Sequence, residues 1–295
     1  MKTIPYKDTQ SVELSNGALS LVITQSIGPR ILSLQTPTGK NFMANFDDQI
    51  GKKNGSKEWF LYGGHRLWHS PEAEPRTYVP DNDPVGIREI KGGVNVLQPV
   101  ESLTQLQKEI DILLDPAGPR AELIHRLHNR GPFPIEVAAW SLSVCAPGGF
   151  AHVPFGGRAR PNKYLNDRIM TVWPYTDLSD KRGRFGKDFI RVTQDSTATT
   201  PYKLGLSANA GWTSYVLGQE AFIKTVAVQS LDGTVTYPDN NVGLEIYTCD
   251  KFLELETVGP LETIQPGGCL EHREIWEVLP LTSNDPRVRE IHSVP

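Results

Sequence analysis

The chain is a succession of short runs in which apolar and polar residues alternate with a period of two, each closed by glycine or proline. Residues 19–24 (LSLVIT), 30–34 (RILSL), 85–90, 94–97, 106–114 and 121–128 show the pattern in the first half. DFIRVTQ, YKLGLSA, WTSYVLG, AFIKTVAVQ and NVGLEIYTC continue it in the second. Alternation of this kind is the mark of a strand with two different faces. The 26 glycines and 23 prolines fall between these runs and do not gather into a linker, so turn residues punctuate the chain at strand spacing. No amphipathic helix longer than about two turns is predicted. So many strands overfill one twisted sheet. The expected fold class is therefore all-β, two large antiparallel sheets packed face to face, with residues 1–295 as a single β-sandwich domain.

Within that frame, residues 106–114 place Leu106, Lys108, Ile110, Ile112 and Leu114 on one face. The turn DPAGPR follows, and residues 121–144 read as strand, Asn-Arg-Gly turn, strand, the simplest arrangement being a meander. Residues 162–184 carry mixed charge and turn formers and read as a long loop with one short strand at 169–173.

Charge and cysteine usage narrow the function. Thirty basic and 34 acidic residues are well mixed and sum to -4, which leaves no basic stripe for nucleic acid and no polybasic membrane patch. No apolar run reaches the length of a signal peptide core or a membrane span, so a cytoplasmic location is expected. Cys145, Cys249 and Cys269 form no CxxC pair, which disfavours a disulfide framework and a thiolate zinc site. The dinucleotide, P-loop, nucleophile-elbow and EF-hand signatures are missing. An enzyme built on this chain is expected to use acid-base chemistry with no cofactor and no metal.

Three stretches carry residues suited to such chemistry. In FLELETVGPLETIQP (residues 252–266) alternation puts Phe252, Glu254 and Glu256 on one face and Leu253, Leu255 and Thr257 on the other. Two carboxylates projecting together either meet water or line a cleft. In WFLYGGHRLWHSPE (residues 59–72), Gly63 and Gly64 permit a bulge or a close backbone approach beside His65, Arg66, Trp68 and His69. Flat aromatic faces with arginine, histidine and carboxylate groups are the means by which sugars are held. Arg30, after a Gly-Pro turn at the mouth of a strand, is either a salt-bridged edge charge or a hydroxyl or anion clamp. His152, flanked by glycines in GGFAHVPFGGR, is a further cleft candidate. His125 shares a face with Leu123 and Leu127 and reads as a core histidine.

Taken in order, NGALSLVIT with GPRILSL, YGGHRLW, LHNRGPFPIEVAAW, LELET and PGGCLEHREIWEV resemble the galactose-mutarotase-like (aldose 1-epimerase) superfamily over nearly the whole chain. The resemblance implies a β-supersandwich with a carbohydrate site on its concave face. It also implies that Glu256, in Leu255-Glu256-Thr257, takes the proton of the anomeric hydroxyl. The histidine that the family uses to protonate the ring oxygen has no counterpart, because Trp140 stands at its place and an indole is no acid at neutral pH. His65, His69 and His152 are the histidines available to replace it. The expected roles are thus Glu256 as base and His65 or His69 as acid, with Arg30, Arg66, Trp68, Trp140, His152 and Glu254 binding the substrate. The expected partner is a small sugar or sugar derivative, with no nucleic acid and no membrane. The alternatives are a non-catalytic carbohydrate-binding protein with the same cleft, and a sandwich whose acidic strand faces water.

Overall fold

A computed structural model describes residues 1–156, 164, 166–229 and 233–292. The strands β1 (Lys2–Tyr6), β2 (Thr9–Ser15), β3 (Ser20–Thr24) and β4 (Arg30–Gln35) form an antiparallel meander that β5 (Gly64–Ser70) extends. A second meander comprises β6 (Gly86–Ile90), β7 (Gly93–Leu97), β8 (Leu106–Leu114) and β9 (Arg120–Asn129). The chain then crosses between sheets. The strand β10 (Ile135–Cys145) joins the first sheet beside β5, and β11 (Phe150–Pro154) joins the second.

Of the remaining strands, β12 (Met170–Val172) lies in the first sheet, while β13 (Gly183–Phe185) and β14 (Phe189–Thr193) lie in the second. The strand β15 (Tyr202–Leu206) returns to the first sheet, and β16 (Trp212–Leu217) and β17 (Glu220–Thr225) to the second. After the single turn α1 (Pro238–Asn241), β18 (Leu244–Thr248), β19 (Leu253–Val258) and the short β20 (Glu262–Ile264) complete the first sheet. The strand β21 (Cys269–Pro280) completes the second, and the helix α2 (Pro286–His292) follows it. Among the described residues the result is an 11-stranded and a 10-stranded sheet, with every pairing antiparallel.

Period-two alternation builds the core between them. Leu253 and Leu255 of β19, Leu67 of β5, Val137 and Ala139 of β10, and Tyr202 and Leu204 of β15 meet Leu123, Phe222, Trp276 and Val278 of the second sheet. Burial of this apolar surface contributes more than any other interaction to holding the sheets together.

One local expectation fails. Residues 121–144 do not form a hairpin, since β9 and β10 belong to different sheets. The open edge of β9 is taken by β21, whose Cys269–Glu277 segment pairs with His128–Arg120. The Asn129 side chain also donates to the carbonyls of Phe133 (2.7 Å) and Ile264 (2.9 Å), holding the crossover. Within residues 162–184, β12 falls at the expected short strand; residues 162, 163 and 165 lie outside the described residues.

Candidate active site

Because β19 alternates, Leu253, Leu255 and Thr257 face the core, and Glu254, Glu256 and Val258 emerge on the far face of the larger sheet. Strand register assembles the rest. Glu256 lies between Leu142 of β10 and Glu245 of β18, and Leu142 in turn lies opposite Arg66 of β5. One row along, Glu254 faces Tyr247, and Tyr247 faces Lys203 of β15. On the other side Trp68 pairs with Trp140.

The charged groups on this face are buried and in contact with one another. Lys203 Nζ lies 2.6 Å from Glu245 Oε2 and 3.3 Å from Glu256 Oε2. Its ammonium is flanked by the rings of Trp140 (4.8 Å) and Trp173 (4.7 Å), both favourable cation-π distances. Gly205 makes room for Trp173, since a Cβ there would lie 3.1 Å from that ring. Trp140 Nε1 donates to Glu256 Oε2 at 2.8 Å. Arg66 Nη2 donates to Glu254 Oε1 at 2.9 Å while its guanidinium lies 4.4 Å from the Trp68 ring. Trp59, Trp68 and Tyr78 pack edge-on or tilted within 5.1–5.5 Å of one another and continue to Trp140. Among the described residues, the buried atoms on this face without a hydrogen-bond partner include Glu256 Oε1, Glu245 Oε1, Arg66 Nε and Arg66 Nη1.

Burial pushes the Glu256 carboxyl up; Lys203 opposes the shift and Glu254 adds to it. Burial pushes Glu245 well up, again against Lys203 and with help from Glu256. For Lys203, burial alone would lower the ammonium, but Glu256 and Glu245 outweigh it and the net shift is upward. Two carboxylates facing one lysine cannot both ionise cheaply in a site that excludes water.

Arg30 is adjacent to Arg66 in register but is used for structure. Its Nη1 donates to the carbonyls of Leu61 (2.9 Å) and Gly63 (2.7 Å), and its Nη2 to Asp81 Oδ2 (2.5 Å). These bonds fix the corner at Gly63 and Gly64, both at positive φ, where an added Cβ would strike the carbonyls of Ala44 and Ile31.

The histidines are placed elsewhere, which corrects the role expected of them. Alternation along β5 that turns Arg66 and Trp68 toward Glu256 turns His65 and His69 into the inter-sheet core. His65 Nδ1 lies 2.9 Å from Ser143 Oγ and its Nε2 lies 2.8 Å from His125 Nε2. His69 is fully buried beside Lys108 and Glu101 of the second sheet's side. His152 lies in the other sheet, stacked on Phe189 (5.3 Å) and near Trp212. None of the three is on the face that carries Glu256.

His65 instead belongs to a closed network that ties the sheets together. Glu274 of β21, fully buried, accepts from Ser141 Oγ (2.7 Å), Trp276 Nε1 (2.6 Å) and Thr257 Oγ1, and pairs with Lys224 Nζ at 2.9 Å. Lys224 Nζ also donates to Ser143 Oγ and Leu255 O, each at 3.3 Å. Proton directions then follow. Lys224 donates to Ser143, Ser143 to His65 Nδ1, His65 Nε2 to His125 Nε2, and His125 Nδ1 to the His272 carbonyl (3.1 Å). His65, His125 and Glu274 offer ligand atoms within 4.8 Å of one another. Those atoms are all engaged in this chain of hydrogen bonds with the imidazoles neutral. The network fixes the backbone of β19 from behind.

Lys203, Glu245 and the aromatic residues Trp59, Tyr78 and Trp173 complete the face but were not among the expected site residues. The signal for two of them was present: YKLGL and LEIYT alternate as LELET does, and place Lys203 and Glu245 opposite the leucines.

No family profile matches this sequence, and no curated protein sequence does. Solved structures do resemble it. A TPR-domain containing protein from Parabacteroides distasonis aligns at TM-score 0.58 with 14% identity, covering 97% of this chain and 51% of that one, so this chain spans about half its length. A galactose mutarotase-like protein from Clostridium acetobutylicum aligns at TM-score 0.58 with 10% identity, covering 95% and 98%. Another from Lactobacillus casei aligns at TM-score 0.55 with 9% identity, covering 91% and 100%. Among the described residues no helix is long and apolar enough to cross a membrane. Two large antiparallel sheets, aligned with such proteins over more than nine-tenths of the chain, give it the galactose-mutarotase-like fold.

Proposed function

We propose that the protein is a carbohydrate-active isomerase of the aldose 1-epimerase kind, interconverting sugar anomers with Glu256 as base. One observation carries the reading. Glu256 is fully buried, its Oε2 is fixed by Trp140 Nε1 and Lys203 Nζ, and its Oε1 is an acceptor without a partner. A carboxylate held by one oxygen presents the other in a single direction, and burial that raises its pKa moves it toward the range a general base needs. Trp68 and Trp140 pack edge-on beside Glu256 and give the site an aromatic wall, and the unpartnered Arg66 nitrogens supply donors for hydroxyls. The reaction moves protons on the two oxygens bonded to the anomeric carbon while the ring C–O bond breaks and reforms, and acid-base side chains suffice for it. The mutarotase-like descriptions of the Clostridium and Lactobacillus structures support a sugar as the ligand.

Glu256→Gln keeps the hydrogen bond to Trp140 in reach through its carbonyl oxygen and removes the base. Turnover is expected to fall about a hundredfold or more with sugar binding retained; unchanged turnover removes Glu256 from the mechanism. Trp140 at the family's acid position favours one other reading, a saccharide-binding protein without turnover. In that case freshly dissolved sugars bind to the wild type and anomerise at the uncatalysed rate.

A further inference from the structure

We propose that Glu245 supplies the acid that Trp140 cannot, sharing one proton with Glu256 across Lys203. The inference rests on the isomerase reading above and extends it to the second half of the proton transfer. Its basis is geometric. Glu245 and Glu256 are direct cross-strand partners on β18 and β19, where side chains on one face stand within about 5 Å. Both are buried, at 1% and 0% exposure. Lys203 bridges them at 2.6 and 3.3 Å. A third carboxylate on this face, Glu254, is already paired with Arg66. One ammonium thus faces two desolvated carboxylates, and a single retained proton balances the set.

The remaining titratable groups named around the pair bring no second cation to it, and Asp239 adds to the upward push on Glu245. Asp239 of α1 acts on Glu245, and Tyr175, Tyr78 and Tyr247 lie about Lys203. All three phenols are pushed up, first by burial, and stay neutral. Glu72 acts on Tyr175 and accepts from the Tyr78 hydroxyl.

An adjacent acid and base are sufficient here because the two oxygens that exchange protons in anomerisation are bonded to the same carbon. The Glu256 carboxylate takes the proton of the anomeric hydroxyl, and that O–H pair becomes the second bond of the new carbonyl. The bond from the anomeric carbon to the ring oxygen breaks, its electron pair goes to the ring oxygen, and the Glu245 acid protonates it. Rotation about the first C–C bond and reversal of these steps close the ring on the other face and return both protons. The pair carries one negative charge throughout, and Lys203 serves as a positioning residue that stabilises whichever carboxylate is ionised.

Infrared difference spectroscopy of the folded protein near neutral pH tests this separately from the sugar chemistry. The wild type is expected to show the carbonyl band of a protonated carboxylic acid. Glu245→Gln and Glu256→Gln should each lose it, since one carboxylate left beside Lys203 ionises; if one variant fails to fold, the other decides. A wild type without the band, or a folded single variant that keeps it, overturns the shared proton. In the anomerisation assay Glu245→Gln is expected to lose about a hundredfold in kcat with little change in KM. Full turnover in Glu245→Gln overturns its role as acid while leaving Glu256 as base. A wild type that shows the band and no anomerisation overturns the isomerase reading and, with it, the acid role of Glu245.

Discussion

Lys224→Met is expected to destabilise the protein by about 3–5 kcal/mol, because it strands the fully buried Glu274 carboxylate among neutral groups. Burial alone would push the Glu274 carboxyl up. Lys224 leads the groups that outweigh burial and hold it well below its ordinary value. Removing the ammonium leaves only the hydrogen bonds from Ser141, Thr257 and Trp276 to oppose the desolvation, so Glu274 must take up a proton or destabilise the core. Denaturant unfolding measures the loss, and the double variant Lys224→Met with Glu274→Gln is expected to recover a large part of it. A loss below about 1 kcal/mol in the single variant would mean that the pair contributes little more than an exposed one. The consequence reaches the site, since Lys224 also holds the Leu255 carbonyl and Glu274 holds Thr257, the residues on either side of Glu256.

Stability should fall steeply as pH drops from 6.5 toward about 4. Five histidines are held neutral by burial: His65 well below its usual value, His125 below it, His69 near about 3, and His152 and His272 near about 4. Between these folded values and 6.5 the unfolded chain binds protons that the folded chain refuses. Stability therefore rises with pH in that window by about 1.4 kcal/mol per pH unit for each such histidine. The contribution is complete above pH 6.5 and is lost as pH falls. The raised Glu245 and Glu256 act in the opposite sense above the ordinary carboxylate range, where the folded pair retains a proton that the unfolded chain releases. That offsets roughly one histidine and leaves the net slope positive. Thermal melting between pH 7 and pH 4 checks it, and a flat profile would show that these imidazoles are protonated in the folded protein.

The fold was legible because its signal is local. Alternation along LELET, LQKEIDILL and LSLVIT assigns a face to each residue without reference to any partner strand. The same rule, applied within GHRLWHS, separates Arg66 and Trp68 from His65 and His69; the cluster invited a reading by composition, and composition does not distinguish faces. Other features depend on pairing across long separations. Asp81, which holds Arg30, is 51 residues away in sequence, and Lys203 is 53 residues from Glu256. Which strands flank β19, and at what register, is set by the sandwich as a whole. Nothing in the Asn-Arg-Gly segment announces that β21 takes the edge of β9 and diverts β10 to the other sheet.

The most direct test of the central claim follows, by NMR, the equilibration of freshly dissolved α-anomers of several aldoses with and without the protein. Ligand-observed binding is recorded on the same samples. Interconversion faster than the uncatalysed rate for at least one aldose, abolished in Glu256→Gln, is the predicted result. Binding with no acceleration of any aldose, or acceleration that survives Glu256→Gln, would contradict it.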